Sequence, residues 1–341
     1  MPSAFAEAIQ ACGAPQMKLR RRCFLHLAAG AAALPAVAHT AEAQSYPSRP
    51  VHIIVGYAAG GPTDILARLI GQWLSERLGQ PFVIEDRPGA ATNLATEAVA
   101  HAPPDGYALL AAVATNTVNP ALYPNLNFNF MRDIAMIAGL TRSAEVLEVN
   151  PALPIKSVSE LIAYVKTNPG KLSLASFGTG TISHVAGVLF KREAGIEMVH
   201  VPYRGSAPLV VDLLAGQVPV AFDNIQSSIA YIKAGKLRAL AVTSAMRLPW
   251  LPDVPVLGDF LPGYEVTGWI GVGAPKNTPV AIINKLNKEI NAGLADPEIA
   301  ARVADMASTV FIASASDLDK LVIEQTTKWR RVIEEAGIKG E

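Results

Sequence analysis

The sequence predicts an α/β protein of about two domains. Half of the 341 residues are hydrophobic and only 17% are charged, a composition typical of a folded chain and not of a disordered one. Short apolar runs alternate with segments of helical spacing, which indicates parallel sheets with helices on both faces. A unit of strand, glycine-rich loop and helix occurs twice, and a chain of this length is expected to hold about two domains.

The first block opens with the β-branched run at 51–55, which predicts a strand. A glycine-rich loop follows at 56–62. The next helix has its apolar residues on one face, and Thr63 or Asp64 is its predicted N-cap. Later in the block we expect strands at 82–84 and 107–112 and a helix at 93–100.

The second block begins with an apolar strand at 146–149 and repeats this arrangement. A helix at 157–167 ends at an Asn-Pro-Gly stop, and a strand at 172–175 leads into a second glycine loop at 176–181 and a helix at 183–193. The remaining predicted elements are strands at 199–201, 218–222, 237–242 and 269–272 and helices at 207–215, 226–234, 279–294, 297–306 and 316–336.

Residues 1–43 are predicted to be a cleavable export signal, with the mature protein starting at Gln44. Three arginines at 20–22 precede an apolar run at 27–38, and a small-residue cleavage site follows at 41–43. The run is shorter than the roughly 20 residues that span a bilayer as a helix, so we expect a soluble periplasmic protein. The arginines also resemble a twin-arginine signal. The sequence does not decide between export by the twin-arginine route and export by the general secretory route. It also leaves open whether residues 1–16 are translated.

Charge and cysteine content exclude several function classes. The 29 basic and 29 acidic residues contain no long cationic cluster, which argues against nucleic-acid binding. Removal of the signal takes away four basic and two acidic residues and leaves 25 and 27. Cys12 and Cys23 both lie in the signal, so we expect a mature protein without disulfides, thiolate catalysis or cysteine-bound metal.

Two glycine-rich loops, at 57–64 and 176–184, are the candidate binding elements. Ligands of open α/β sheets lie beyond the carboxyl ends of strands, where the free amides of a helix N-terminus attract anions. If the lobes face each other, both loops can address one small anion; the alternative is that their glycines only form tight turns. Tyr57, Phe177 and Tyr203 lie on or beside these loops and either touch the ligand or pack at the rim.

Catalytic interpretations find little support. Four histidines remain after residue 43, and no two have the close helical spacing of a zinc site. The sequence contains no Gly-x-Ser-x-Gly nucleophile elbow and no complete dinucleotide or phosphate-loop motif. An exported hydrolase using His184 with Asp64 or Asp223 is the enzymatic alternative. Glu85 is a further candidate acid or base, although carboxylates at strand ends more often cap helices. We expect no catalysis, no cofactor and no metal.

Taken together, the motifs resemble the Bug (TctC-type) family of periplasmic solute-binding proteins of tripartite tricarboxylate transporters. The resemblance extends over essentially the whole chain after residue 43. The matching segments are 54–64 (IVGYAAGGPTD), 85–89 (EDRPG), 104–107 (PDGY), 119–123 (NPALY), 178–184 (GTGTISH), 200–205 (HVPYRG), 212–217 (DLLAGQ), 222–224 (FDN), 234–240 (AGKLRAL), 251–255 (LPDVP) and 336–339 (AGIK).

The resemblance implies a periplasmic-binding-protein-like clamshell that does not catalyse a reaction and closes on a small, carboxylate-containing solute. Lobe 1 would comprise 44–145 and 267–341, and lobe 2 would comprise 146–266. Partners would be the membrane components of a tripartite tricarboxylate transporter, and the protein is expected to be a monomer. The implied ligand-binding residues are Tyr57, Ala58, Ala59, Gly60, Gly61, Asp64, Thr115, Asn116, Ser176, Gly178, Thr179, Gly180, Thr181, His184, Tyr203, Arg204, Asp223 and Asn224.

Two departures from the family pattern border the expected pocket. The family commonly has Pro-Phe-Ala-Pro-Gly-Gly where this chain has the loop 56–61, and it often has a glycine pair where this chain has Ala91 and Thr92. These changes bear on the identity of the ligand rather than on the fold. Whether the solute passes to a transporter or to a membrane sensor kinase stays open.

Overall fold

The computed structural model describes residues 46–335 and 337. Across these residues the chain forms one ten-stranded mixed sheet with helices around it. The predicted export signal and Gln44 lie outside the described residues. No helix within the described part is long and apolar enough to cross a membrane.

The strands follow the order of the predicted alternation. They are β1 (Val51–Val55), β2 (Phe82–Asp86), β3 (Ala108–Val113), β4 (Ile134–Val149), β5 (Ser173–Ser176), β6 (Val199–Pro202), β7 (Val220–Asn224), β8 (Arg238–Val242), β9 (Thr267–Pro275) and β10 (Thr309–Val310).

Helices fill most of the connections between strands. They are α1 (Pro62–Leu78), α2 (Asn93–Ala100), α3 (Thr115–Leu122), α4 (Phe130–Asp133), α5 (Val158–Thr167), α6 (Ile182–Ala194), α7 (Ser206–Leu214), α8 (Ile225–Lys233), α9 (Val280–Leu294), α10 (Pro297–Asp305) and α11 (Ala315–Glu335). Single 3₁₀ turns lie at Ala90–Thr92 and Leu257–Asp259.

The long strand β4 joins two halves of the sheet. The strand order is β2-β1-β3-β9-β4-β7-β5-β6, with β8 and β10 also paired to β4. Up to Ala144, β4 pairs with β9, and from Glu145 onward it pairs with β7. The described residues belong to one compact unit, and the division into lobes at 145/146 and 266/267 stays a prediction.

The prediction of parallel sheets is right for part of the sheet. β1 is parallel to β2 and β3, and β5 is parallel to β6 and β7. β4 and β9 instead run antiparallel to each other. β4 is also antiparallel to β7, and β9 is antiparallel to β3. A helical crossover carries the chain back to the end of the sheet at which the preceding strand began, so the next strand runs parallel to it. β4 and β9 connect the two halves, so no such crossover fixes their direction.

The core lies where the helices cover the sheet. β1 presents Val51, Ile53 and Val55 to the apolar face of α1, which contributes Leu66, Ile70 and Leu74, all of them buried. On the other side, Trp329 of α11 is fully buried in the cluster that covers α3 and α6. This packing fixes the start of α1, α3 and α6, where the candidate residues lie.

Candidate functional site

The first glycine loop leaves the N-terminus of α1 open. The helix begins at Pro62, and its N-cap Gly61 is extended and supplies no side-chain cap. The predicted cap at Thr63 or Asp64 is therefore wrong, because both residues lie inside the first turn. Their backbone N–H groups donate to no group of the described chain. A 17-residue helix with an uncapped N-terminus attracts negative charge.

Asp64 holds this loop in place. Its Oδ2 accepts a hydrogen bond of 2.7 Å from the Gly60 N–H, and its Oδ1 lies 2.7 Å from Arg68 Nε. Arg68 also pairs with Asp86 at 3.1 Å. Burial acts to raise the pKa of Asp64, but the hydrogen bonds from Arg68 and Gly60 hold that pKa below its ordinary value. The carboxylate is thus ionised and engaged, and its role as a direct ligand contact stays a prediction.

Tyr57 connects the first loop to α3. Its hydroxyl lies 3.0 Å from Thr115 Oγ1 at the start of that helix. Burial raises the pKa of Tyr57, so its hydroxyl keeps its proton. At the other end of α3, a Cβ placed on Gly180 would lie 2.8 Å from Leu122 Cδ1. The two glycine loops therefore lie at opposite ends of one eight-residue helix, about 10 Å apart at 1.5 Å per residue.

Asn116 belongs to a buried polar network beneath the first loop. Its Oδ1 accepts from the Val113 N–H at 2.8 Å, and its Nδ2 donates to Thr92 Oγ1 and Thr96 Oγ1, both at 2.9 Å. Both N–H bonds of the amide are used, so Asn116 orients the loop through Thr92. Ligand contact by Asn116 stays a prediction.

Thr92 occupies space that Gly56 leaves open. A Cβ placed on Gly56 would lie 2.6 Å from Thr92 Cβ, closer than real Cβ contacts come. Ala90, Ala91 and Thr92 all have left-handed backbones, with φ of +47°, +50° and +73°, which is costly for residues other than glycine. The two departures from the family pattern are therefore in contact.

The second glycine loop is largely satisfied by its own side chains. Thr181 caps α6 by accepting from the His184 N–H, and the Gly180 N–H donates to His184 Nδ1 at 3.1 Å. The Phe177 N–H donates to Ser183 Oγ at 3.1 Å. Ser176 and Gly178 lie in the same turn and are joined by hydrogen bonds of 3.2 and 3.3 Å. Thr179 lies at the tip, and its N–H has no acceptor among the described residues. The first loop thus offers the more open anion site.

His184 stacks on His200 beneath the second loop. Their ring centroids lie 4.0 Å apart at an angle of 10°, and His200 Nε2 lies 2.7 Å from Ser176 Oγ. Since His184 Nδ1 accepts the Gly180 N–H, the neutral ring carries its proton on Nε2. Burial lowers the pKa of His184 to about 3 and that of His200 to about 4. Both rings are neutral at neutral pH.

This histidine pair should make the protein sensitive to acid. Both pKa values lie below the unfolded value near 6.5, so the stability they contribute is present above pH 6.5 and is lost as the pH falls toward 4. We expect His184 alone to account for about 3 kcal/mol between pH 7 and pH 4. Urea denaturation across this range would show the loss. A His184→Asn variant, which keeps an acceptor for Gly180, should flatten the curve, and an unchanged slope would contradict the assignment.

The hydrolase alternative is not assembled in this structure. No hydrogen bond within the described residues joins His184 to Asp64 or Asp223. His184 is committed to Gly180 and His200, and Asp64 is committed to the first loop. Among the described residues, no group of three or more histidine, cysteine, aspartate or glutamate side chains could hold a metal ion.

The segment after β6 runs beside the second loop. The Tyr203 N–H donates to the Ser176 carbonyl at 2.9 Å, and the Tyr203 hydroxyl donates to Asp212 at 2.8 Å. Burial and this aspartate raise the pKa of Tyr203 to about 12. Arg204 is exposed and has no partner in the described part of the chain. It is the one lysine or arginine among the predicted ligand-binding residues.

Asp223 and Asn224 end β7 and start α8. Asn224 Oδ1 caps the helix by accepting from the Ser227 N–H at 3.1 Å, and its Nδ2 donates to Ser206 Oγ at 2.6 Å. Asp223 is fully buried and accepts from Ser206, from the Asn224 N–H and from Ser228. Burial raises the pKa of this carboxyl.

β4 contains two buried glutamates that the sequence analysis did not predict. Glu145 is 1% exposed and Glu148 is fully buried, and burial raises the pKa of each well above its usual range. Glu148 Oε1 accepts from Ser228 Oγ at 2.6 Å. The available signal was two acidic residues among the otherwise apolar positions 144–149.

Comparison with known proteins identifies the family of this chain. The family model described as "Tripartite tricarboxylate transporter family receptor" matches residues 66–338. A protein from the tcbD-tcbE intergenic region of Pseudomonas sp. strain P51 is 36% identical over 293 residues, which are 85% of this chain and 87% of that protein. BugT of Bordetella pertussis is 33% identical over 306 residues, 89% of this chain and 94% of that protein.

Solved structures give the same result. Rpa4515 of R. palustris, solved with adipate, is 34% identical with a TM-score of 0.80, and covers 87% of this chain and 100% of its own. The periplasmic binding protein BugD is 35% identical with a TM-score of 0.78 and coverages of 87% and 100%. MatC from Rhodopseudomonas palustris, with bound malate, is 33% identical with a TM-score of 0.77 and coverages of 84% and 100%. The predicted periplasmic-binding-protein-like α/β fold is confirmed, and the chain belongs to the tripartite tricarboxylate transporter receptor family.

Proposed function

We propose that this chain is a periplasmic receptor that captures a small carboxylate-containing solute and passes it to the membrane components of a tripartite tricarboxylate transporter. Membership of the receptor family and the similarity to proteins solved with adipate and malate support the solute class. The structural observation that carries the proposal is the open N-terminus of α1, with its engaged Asp64 and free amides at Thr63 and Asp64.

The binding mode follows from the two loops. One carboxylate of the solute lies at the first loop and accepts hydrogen bonds from backbone amides and bridging water. The second loop and the segments at 203–204 and 223–224 close over the other end of the solute. Two lobes form the cleft. One comprises residues 44–145 and 267–341, and the other comprises residues 146–266. A solute that binds only to the closed form shifts the equilibrium between the open and closed forms toward the closed one. The receptor acts as a monomer and without catalysis.

A thermal-shift screen tests this function. Di- and tricarboxylates, amino acids, aromatic acids and neutral amides are added to the purified protein, and its melting temperature is recorded. We expect at least one carboxylate to stabilise the protein by about 2.7 kcal/mol when present at 100 times its dissociation constant. Stabilisation by neutral ligands alone would contradict the proposal. Mass spectrometry of solute that co-purifies with the protein identifies the natural ligand independently.

The export prediction has a separate test. An exported receptor is made with a leader that is cleaved, and we place the cut after residue 43. N-terminal sequencing of protein recovered from the periplasm should begin at Gln44. A start well before Gln44 would overturn the cleavage site without affecting the solute class.

A further inference from the structure

A groove of about 320 Å³ lies at the start of β8, on the half of the sheet that contains β7. Its volume is within the roughly 300–1,000 Å³ of sites that hold a ligand. The lining is mostly apolar and includes Pro151, Ile232, Leu237, Ala239 and Val254, together with Arg238. None of these residues belongs to the predicted solute-binding set, so the groove is separate from the candidate site.

β8 leaves one edge open beside this groove. On one side it pairs antiparallel with β4. On the other side it meets the chain at Val242, whose N–H donates to the Pro255 carbonyl at 2.9 Å and which forms an isolated bridge with Val256. Within the described residues no strand covers the outer edge at 238–241. An open strand edge can accept an extended segment of another chain as an added strand.

Arg238 brings a positive charge to the groove in a fixed position. Its Nη1 donates to the Leu153 carbonyl at 3.2 Å and to the Ile155 carbonyl at 2.9 Å, and these bonds hold the guanidinium in place. A guanidinium has five N–H groups, and those on Nη2 and Nε have no acceptor in the described part of the chain. These N–H groups are therefore available to a carboxylate, which a guanidinium binds with specific geometry.

The rim of the groove carries a net positive charge. Lys233 and Lys236 are exposed and adjoin lining residues in the sequence, and neither side chain has an ion pair or a hydrogen bond among the described residues. Asp253 adjoins Val254 on the same rim. With Arg238, three cations accompany one acid, so the groove attracts an occupant with acidic side chains.

An occupant of the groove leaves the predicted solute site open. Arg238 pairs with Val149 at one end of β4, whereas Asn224 pairs with Glu145, four residues earlier in β4. At roughly 3.3 Å per residue these points lie about 13 Å apart along the strand. A partner can therefore bind at the groove while a solute is held near Asn224.

We propose that this groove docks an extended periplasmic segment of the transporter's membrane component, one in which acidic side chains flank apolar ones. The segment adds a strand at the open edge of β8, places its apolar side chains in the groove and pairs its carboxylates with Arg238, Lys233 and Lys236. Membrane proteins concentrate lysine and arginine in their cytoplasmic loops, so their periplasmic loops suit a cationic surface. The inference rests on the proposed function, because it takes the membrane component as the partner.

Uptake by cells tests docking separately from solute binding. A strain that lacks the gene for this chain receives the wild-type or a variant gene, and uptake of the carboxylate with the largest thermal shift is measured. Val254→Arg places a bulky cation in the groove and should lower uptake about tenfold, the effect of losing a central interface contact. The dissociation constant of the purified variant for the solute should change less than about twofold, since the groove is distant from the solute site.

Val280→Arg is the matched control. Val280 is 70% exposed at the start of α9 and lies outside the groove, so this variant should keep wild-type uptake. Wild-type uptake by Val254→Arg, or an equal loss in both variants, would overturn the inference and leave the proposed function intact. Failure of every carboxylate to bind, or uptake that does not depend on this chain, would instead overturn the proposed function.

Charge variants cover the case in which Val254→Arg does not fold. The double variant Lys233→Glu with Lys236→Glu reverses the charge of the rim. Lys166→Glu with Lys171→Glu makes the same charge change at two exposed lysines that do not adjoin the lining. The rim variant should lower uptake about tenfold and the control less than about twofold, because opposite charges steer the partners together. Equal uptake by the two double variants would contradict docking at this rim.

Blocked peptides test the chemistry of the occupant. Acetyl-Asp-Val-Asp-Val-Asp-amide is titrated into isotope-labelled receptor, and we expect the amide signals of residues 238–240 to shift. The same peptide with lysine in place of aspartate should leave them unchanged. Binding of neither peptide, or of both equally, would refute the proposed occupant. A receptor dimer that Val254→Arg abolishes in sedimentation would show instead that a second copy of the chain occupies the groove.

Discussion

Replacement of Gly56 with alanine is expected to lower the free energy of unfolding by about 2 kcal/mol, since overpacking a close contact costs roughly 1–3 kcal/mol. The added Cβ would lie 2.6 Å from Thr92 Cβ and 3.0 Å from its Cα, so the backbone of the 3₁₀ turn would have to move. Urea denaturation of the purified variant measures the loss.

The double variant Gly56→Ala with Thr92→Gly separates this contact from other effects. Glycine at 92 removes the clash and relieves a left-handed residue at φ +73°, but it also removes the Oγ1 that accepts from Asn116. We expect the double variant to recover most of the stability, with a coupling of about 1–2 kcal/mol. Gly61→Ala is the control, because Gly61 has an ordinary φ of −77° and its Cβ would meet only the Ala58 carbonyl at 3.4 Å. Purely additive effects of the two substitutions would refute the contact.

Replacement of Asp64 with alanine should weaken carboxylate binding about 30-fold, which corresponds to about 2 kcal/mol. The substitution removes the acceptor of the Gly60 N–H and the partner of Arg68 Nε, and a hydrogen bond to a charged group contributes about 1.5–3 kcal/mol. Without this bond the first loop no longer holds its amides in one arrangement. Calorimetric titration with the carboxylate that gives the largest thermal shift measures the effect.

Loss of a negative charge beside an anion site would by itself strengthen carboxylate binding, whereas a disordered loop would weaken it. The control variants must therefore separate the effect of loop order from the effect of charge. Asp64→Asn retains an acceptor for Gly60 without the charge and should bind more tightly than Asp64→Ala. Asp86→Asn removes a charge that pairs with Arg68 and also interacts with Asp64, but Asp86 does not accept the Gly60 N–H, and binding should change less than threefold. Wild-type or stronger binding by Asp64→Ala would show that charge, and not the loop, governs affinity.

Local patterns predicted most elements and failed where no local signal exists. The strand, loop and helix units around the two glycine loops were found because β-branched runs and helical periodicity are local. The helix α3 was missed because it has Pro120 inside it and its N-cap, Ala114, gives no side-chain cap. Only the last residues of β4 were predicted, since the two isoleucines of its first part are separated by Ala135 and Met136 and form no β-branched run.

The candidate site shows the same limit. Both glycine loops could be found from the sequence, but the sequence did not distinguish the open N-terminus of α1 from the self-satisfied loop before α6. That difference depends on the N-cap, because Thr181 accepts from the His184 N–H at the start of α6, whereas Gly61 supplies no side-chain cap to α1. The burial of Glu145 was missed because it arises where β4 changes its pairing from β9 to β7, and strand pairing over long separations is not encoded in any short segment.

The position of β9 determines when the chain can fold. β9 lies between β3 and β4 in the sheet, although more than 100 residues of chain separate it from either strand. Until residue 275 has emerged from the ribosome, β3 and β4 each retain an unpaired edge, and such edges invite pairing with other chains. Contacts of this separation also slow folding. We therefore expect the sheet to stay incomplete through most of synthesis, and any variant truncated before residue 267 should aggregate.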